Sequence, residues 1–166
     1  KDEKYFYWTK TTREGNYGKK LRQKIGTSKI ETYFDGDKEK ELSGSKYFGI
    51  GAIAVSHNDE LMAYSLDLKG SEYYDIFLKD ISSNKIIEKK IENTSGSIVW
   101  ELDSKSFYYT PLDKFHRSRK IYKHLVGTSS KDDQLIFEEK DETFSVGISL
   151  TSDEKFFVIS TSDSET

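Results

Sequence analysis

The amino-acid sequence predicts an all-β chain, a partial β-propeller made of four-stranded antiparallel blades. Three observations support this prediction: a strand-forming composition, a gapless internal repeat, and a repeat length that matches one propeller blade. Aromatic residues make up 14% of the 166 residues, with 11 Tyr and 10 Phe against a single Pro. Short runs of Tyr, Phe, Ile and Val between Gly, Asn, Asp and Ser are typical of strands joined by turns.

The repeat consists of three segments that align without a gap, Ala52–Ser65, Ser97–Thr110 and Gly147–Ser160. In each copy, two apolar positions spaced by two residues precede a turn-forming Asn or Asp, and two more follow it. Period two is the period of a strand, so each copy predicts a β-hairpin with one buried face. The four apolar columns are Ile53/Ile98/Ile148, Val55/Trp100/Leu150, Met62/Phe107/Phe157 and Tyr64/Tyr109/Ile159.

Further strand-like runs follow each hairpin, and a half-copy of the repeat opens the chain at Phe6–Thr9. These runs are Lys19–Ile25, Ile30–Phe34, Tyr74–Asp80, Ile86–Ile91, Ser118–Val126 and Gln134–Glu138. One unit thus holds four strands over roughly the length of a propeller blade. We expect a partial blade at 1-46, blades at 47-92 and 93-140, and the first hairpin of another at 141-166, with no long helix. A β-sandwich is the alternative, but it gives no reason for copies at this spacing.

Charge and cysteine content exclude several classes of function. The net charge of −3 offers no basic surplus for nucleic acid or an anionic membrane. No apolar run approaches the roughly 18 residues of a membrane span, and Lys1–Trp8 lacks the apolar region of a signal peptide. The absence of cysteine excludes disulfides, thiolate metal sites and a Cys nucleophile. It also fits a reducing compartment, so we expect a cytoplasmic protein.

No string of residues predicts a catalytic site. The G-x-S-x-G elbow that exposes a nucleophilic serine is missing. Three S-x-x-K strings occur, but we place them in turns between strands, whereas their chemistry needs Ser and Lys one helical turn apart. They are Ser43–Lys46, Ser82–Lys85 and Ser152–Lys155. We therefore assign no catalytic residue.

The histidines and carboxylates favour structural or surface roles. His57, His116 and His124 make no metal-binding spacing, and neither a calcium loop nor a phosphate loop is present. We therefore expect no metal and no organic cofactor. Carboxylates cluster at Asp35/Asp37, Asp132/Asp133, Glu138/Glu139 and Asp141/Glu142, where solvated turns are the prediction.

Two local features carry weak functional signals. The stretch Phe115–His124 is the most basic of the chain and could bind an acidic partner, but Asp132 to Glu142 could neutralise it. Asn93-Thr94-Ser95 has the form of a glycosylation sequon, although a turn is the simpler interpretation.

Longer strings of the chain resemble the N-terminal propeller of the oligopeptidase B (protease II) group in the prolyl oligopeptidase family. The resemblance covers essentially the whole chain, and its motifs occur in order. They are YFYWT at Tyr5–Thr9, Tyr33–Gly36, YFGIGAIAVSHNDELMAYSLD at Tyr47–Asp67, GSEYYDIFLKD at Gly70–Asp80, IENTSGSIVW at Ile91–Trp100, FYYTPLD at Phe107–Asp113, His116–Thr128 and LIFEEKDETFSVGIS at Leu135–Ser149.

This resemblance implies a seven-bladed propeller that caps an α/β-hydrolase domain and limits access to it. It also implies hydrolysis of short peptides after Lys or Arg by a Ser-Asp-His triad, without metal or organic cofactor. The triad belongs to the hydrolase domain, which these residues do not contain, so no catalytic residue is carried over. We expect this C-terminal hydrolase domain as the partner, and no activity from residues 1-166 alone.

Two functions from different classes remain open, and a third, a carbohydrate-active propeller, requires two carboxylates that converge in a pocket. The first is the gating propeller of a serine oligopeptidase that acts on short basic peptides. The second is a stand-alone interaction module whose blades present loops to a protein partner. A reading frame that continues from Thr166 into an α/β pattern with a G-x-S-x-G elbow would favour the first.

Overall fold

The structure is a computed structural model that describes residues 4–163. These residues form antiparallel sheets with one short α-helix, so the predicted all-β propeller architecture is confirmed. The chain divides into two compact units, residues 1–48 and 49–166. No helix within residues 4–163 is long and apolar enough to cross a bilayer.

The first unit is a three-stranded sheet followed by a helix that the sequence analysis missed. Its strands are β1 (Tyr5–Lys10), β2 (Lys19–Lys24) and β3 (Ile30–Asp35), and α1 spans Gly36–Ser43. The Asp35 side chain accepts a hydrogen bond from the Lys38 amide at 3.3 Å and caps the helix N-terminus. Gly44 ends the helix in a left-handed conformation with φ of 62°. The helix is short and polar, so it leaves no apolar periodicity in the sequence.

The second unit contains three sheets in chain order. The first pairs β4 (Gly49–Val55), β5 (Leu61–Asp67) and β6 (Tyr74–Asp80), and β6 then pairs with both β7 (Lys85–Ile86) and β8 (Ile91–Thr94). The next sheet pairs β9 (Val99–Trp100), β10 (Ser106–Tyr109), β11 (Lys120–Leu125) and β12 (Gln134–Glu138). The last pairs β13 (Phe144–Leu150) with β14 (Phe157–Asp163). The blade boundaries inferred from the sequence stay a prediction.

One predicted strand is interrupted. The run Ile86–Ile91 is not one strand, because β7 ends at Ile86 and β8 begins at Ile91. Between them Lys90 forms an ion pair with Asp75 at 2.6 Å, and Glu88 turns toward the next sheet. The charged side chains of this run make these contacts where the ladder is interrupted.

The three repeat copies fold into hairpins with the same turn. The fourth position of each turn, Asp59, Ser104 or Glu154, has a positive φ between 57° and 68°. The residue before it is Asn58, Asp103 or Asp153, and its side-chain oxygen accepts a hydrogen bond from the amide two residues later. Short polar side chains favour such turns because they satisfy the local backbone. The gapless repeat therefore reflects one turn geometry used three times.

The core lies between the sheets of the second unit and includes the predicted apolar columns. Trp100, Phe107 and Tyr109 are buried, as predicted, and Ile148 is half-buried. The Trp100 indole N–H donates to the Ala54 carbonyl at 3.0 Å and so ties the second sheet to the first. In the third copy the same columns are more open, with Phe157 37% and Ile159 39% exposed.

Candidate functional site

The S-x-x-K strings do not form catalytic pairs in the structure. Ser82–Lys85 and Ser152–Lys155 lie at hairpin turns, as predicted. Ser43 instead ends α1, and its hydroxyl donates to the Lys40 carbonyl at 2.8 Å. The Ser82 hydroxyl donates to Asp80 in a local turn. These contacts give Ser43 and Ser82 structural partners that are not lysine amines.

Two of the three histidines make limited contacts. His57 lies in the β4–β5 turn, but it is half-buried rather than exposed, and its Nδ1 is 3.8 Å from the Glu154 carboxylate of the β13–β14 turn. His116 is exposed in a left-handed turn, and its ring packs on Tyr73 with the centroids 4.1 Å apart. Both positions suit contacts between neighbouring hairpins.

The third histidine, His124, is the centre of a buried charged cluster. Strand β11 carries His124, whose side chain is 1% exposed, and its two ring nitrogens each meet a carboxylate. Nδ1 lies 2.8 Å from Asp133 Oδ1, just before β12, and Nε2 lies 2.7 Å from Glu88 Oε1, between β7 and β8. The Tyr109 hydroxyl donates to Asp133 Oδ2 at 2.8 Å. We call these four residues the His124 cluster.

Electrostatics indicate that His124 is an imidazolium. Ionised carboxylates only accept hydrogen bonds, so both ring nitrogens must donate, which requires the charged form. Burial lowers the pKa of His124, but the hydrogen bonds to Glu88 and Asp133 outweigh it, and the pKa lies above the usual 6.5. Burial and the bond to Asp133 also raise the pKa of the Tyr109 hydroxyl well above its ordinary range.

The chemistry open to the cluster is structural rather than catalytic. Both nitrogens of His124 are occupied by carboxylates, so it has no free lone pair with which to activate a serine. Within the described part of the chain, no group of three or more His, Asp or Glu side chains is arranged to hold a metal ion.

The sequence favours a structural or surface role for His124 but does not reveal its partners. Asp132/Asp133 was interpreted as a solvated pair, which is wrong for Asp133, since its side chain is 1% exposed. Glu88 lies 36 residues from His124 in sequence, inside a run that looks like an ordinary half-exposed strand. No local pattern signals such a contact.

The basic stretch Phe115–His124 is neutralised locally, as the sequence suggested. Arg119 pairs with Glu142 at 3.4 Å, and Lys120 pairs with Glu138 at 3.2 Å. Arg117 donates through two nitrogens to Asp113 Oδ2. A cleft of about 370 Å³ opens beside these residues. Its cations already have carboxylate partners, so it offers little surplus charge to an acidic ligand.

The sequon Asn93-Thr94-Ser95 spans the end of β8 rather than a free turn. Thr94 is buried, and its hydroxyl donates to the Tyr74 carbonyl at 2.9 Å. The Ser95 hydroxyl shares a hydrogen bond with the Thr110 hydroxyl. The Thr94 bond lies within the first sheet of the second unit, and the Ser95–Thr110 bond joins that sheet to the next.

The turns of the three repeat hairpins lie together at one end of their sheets and are acidic. The Asn58 amide donates to the Ser104 hydroxyl at 2.9 Å, and His57 approaches Glu154, so the three turns lie side by side. We call residues 56-60, 101-105 and 151-155 the turn rim. The rim carries six carboxylates and two lysines. Such a surplus gives this end of the sheets a negative potential.

Comparisons with known proteins identify the family. A model described as "Prolyl oligopeptidase, N-terminal beta-propeller domain" matches residues 1–166. The chain therefore belongs to the prolyl oligopeptidase family, through its N-terminal β-propeller domain, and the resemblance seen in the sequence is confirmed.

Two relatives and one solved structure illustrate the match. Dipeptidyl aminopeptidase BI of Pseudoxanthomonas mexicana is 30% identical over 119 residues, which cover 71% of this chain and 16% of that protein. Protease 2 of Moraxella lacunata is 28% identical over 122 residues, 72% of this chain and 18% of that one. The structure of oligopeptidase B from Leishmania major superposes with a TM-score of 0.89 at 26% identity, covering 96% of this chain and 23% of that one. The chain thus spans less than a quarter of each.

Proposed function

We propose that this chain is the propeller portion of a serine oligopeptidase that cleaves short peptides after Lys or Arg. In this proposal the propeller packs on a C-terminal α/β-hydrolase domain that carries the catalytic triad, and it restricts which substrates reach that triad. The match of the whole chain to the family's N-terminal propeller domain carries the proposal.

In this proposal the propeller gates the active site by steric exclusion. Closely packed antiparallel blades offer no route for a folded protein, whereas an extended peptide needs only a narrow passage. The buried contacts between the sheets, such as the Trp100 indole bond to Ala54, support a rigid wall. The barrier then selects by size, independently of the residue at the cleavage site.

The preference for basic peptides draws support from two observations. Oligopeptidase B from Leishmania major is among the solved structures similar to this chain, and the sequence resemblance to the oligopeptidase B group implies cleavage after Lys or Arg. The turn rim adds an electrostatic reason, because its carboxylates would raise the local concentration of cationic peptides. Glu101 is partly neutralised by Lys123 at 2.7 Å and Asp153 by Lys155 at 3.6 Å, whereas Glu60 is exposed.

A cytoplasmic location completes the proposal, since a chain without cysteine suits a reducing compartment. No cofactor is included, because the implied hydrolysis needs only side-chain nucleophile, base and carboxylate.

The test uses the full-length protein that contains these residues. We expect hydrolysis of short peptides with Lys or Arg at the cleaved bond, none of matched peptides with Ala or Pro there, and none of a folded protein rich in exposed lysine. Cleavage of the folded protein would contradict gating, and equal cleavage of the Pro peptide would contradict the basic preference. A protein that hydrolyses nothing yet binds a protein partner would instead be the interaction module.

The steering role of the rim has a separate test. The double variant Glu60→Gln, Asp153→Asn should lower kcat/KM for a basic peptide at low salt and leave it unchanged at high salt, because screening removes the same attraction. The matched control is Glu92→Gln, an exposed carboxylate on β8 outside the rim. A loss that persists at high salt would indicate a structural effect rather than steering.

A further inference from the structure

The His124 cluster joins two sheets near β7 and β12, which each end the strand order of their sheet. Glu88 comes from the β7–β8 segment of the first sheet of the second unit, while His124 and Asp133 belong to the next sheet. Glu88 also accepts a second hydrogen bond, from the Gly127 amide at 2.9 Å. One carboxylate therefore bridges the side chain and the backbone of the neighbouring sheet.

We propose that His124 is a pH-controlled latch that fastens the outer edge of the junction between these two sheets through Glu88. In the imidazolium form, Nε2–H donates to Glu88 while Nδ1–H donates to Asp133. Loss of one proton leaves two carboxylates for a single N–H. Asp133 keeps its bond, because Tyr109 also holds it, so Glu88 faces a bare nitrogen lone pair and separates from His124.

The direction of the pH effect follows from the charges around the ring. Glu88 and Asp133 face the imidazole directly, the Tyr109 hydroxyl donates to Asp133, and the Tyr122 ring stacks on Tyr109. Phe107 packs on the ring with its centroid 5.1 Å away. Asp103, Asp132, Lys105 and Lys123 line the adjacent cleft of about 470 Å³ beside Asp133. The two nearest groups are both anionic, and they keep the ring protonated.

The latch is fully closed below the ordinary histidine pKa of 6.5 and opens as pH rises through the higher pKa of the folded protein. Opening is confined to the outer edge. The inner strands stay joined by the Trp100–Ala54 bond, and the Leu112 amide still donates to the Asn93 carbonyl at 2.8 Å.

Hydrogen–deuterium exchange of the full-length protein tests the latch, with rates corrected for the intrinsic effect of pH. The Gly127 amide should lose protection as pH rises, by up to about tenfold for each unit by which folding raises the pKa of His124. The Leu112 amide, at the same junction but away from the cluster, should keep its protection. Equal loss at both amides, or no loss at Gly127, would overturn the proposal.

Two variants assign the effect to the cluster. Glu88→Gln keeps the shape of the side chain, and its amide oxygen can still accept a hydrogen bond from the Gly127 amide. The protection of the Gly127 amide should therefore become independent of pH. His124→Gln should show constant, low protection at Gly127. The matched control Glu92→Gln should keep the wild-type pH profile. A wild-type profile in Glu88→Gln would overturn the proposal. If either variant fails to fold, the difference in pH dependence between the Gly127 and Leu112 amides of the unaltered protein still tests the latch.

Discussion

Among the repeat positions, Phe107 is the one at which we expect a substitution to lower the free energy of unfolding most clearly. The ring is fully buried, with the Trp100 and His124 rings centred 5.2 Å and 5.1 Å away. Phe107→Ala removes the ring and leaves a cavity between close-packed neighbours, so the free energy of unfolding should fall by about 3–5 kcal/mol. For a chain of this size, each kcal/mol lowers Tm by about 2–4 °C, so we expect a drop of roughly 6–20 °C.

The repeat supplies matched controls for this change. Met62 occupies the same column in the first copy and is also fully buried, so Met62→Ala should cost about 2–5 kcal/mol. Phe157 occupies the column in the third copy, where it is 37% exposed, and Phe157→Ala should cost about 1 kcal/mol or less. Chemical denaturation of dilute 166-residue chains would measure all three. A loss for Phe107→Ala no larger than that for Phe157→Ala would refute the assignment of this column to the core.

Three further outcomes are expected. Trp100→Phe keeps a ring but removes the bond to Ala54, so denaturation should show a loss of about 1 kcal/mol; no loss would mean that the bond is not stabilising. Burial raises the pKa of Asp67, but hydrogen bonds from backbone amides, including those of Lys69 and Glu72, outweigh it and lower the pKa. The free energy of unfolding should therefore fall as pH drops through that lowered pKa. Asp67→Asn should reduce this loss at acid pH, and an unchanged loss would contradict the role of Asp67. Residues 1-166 alone should hydrolyse no Lys or Arg peptide ester, and turnover abolished by changing one of their serines would contradict this.

The sequence predicted most of the sheet architecture because strands and turns leave local patterns. The run Tyr74–Asp80 became β6, and Gln134–Glu138 became β12, with the predicted bounds. Alternation of apolar residues marks a strand with one buried face, and turn-forming Asn and Asp mark its end. The hairpin turns repeat in structure because each is closed by the same local hydrogen bond, such as that from the Asp59 amide to the Ser56 carbonyl.

The parts that the sequence did not predict depend on contacts across sheets or on weak local signals. Helix α1 is eight residues long and has only one apolar side chain, Leu42, so the capping residues Asp35 and Gly44 were its only sequence marks. Glu88 and Asp133 look like surface carboxylates, and only the approach of two sheets brings them to His124. Burial of a charge is decided by tertiary packing, which one sequence does not reveal.

The last hairpin makes a prediction about the 166-residue chain itself. Phe156 and β14 are largely exposed, with Phe156 at 65% and Val158 at 45%, and among the described residues β14 pairs only with β13. An exposed apolar strand with open hydrogen-bonding groups is a template for pairing with another chain. We therefore expect the chain alone to self-associate, with a sedimentation coefficient that rises with concentration.

Charge at this edge should suppress the association. Val158→Lys places a lysine on the exposed strand, where it disfavours edge pairing, and should shift the chain toward monomer. The matched control Leu102→Lys changes an equally exposed apolar residue in the β9–β10 turn and should leave the association unchanged. A chain that sediments as a monomer at every concentration, with a cooperative transition above about 65 °C, would show that the edge is not a pairing surface and that these sheets are self-sufficient.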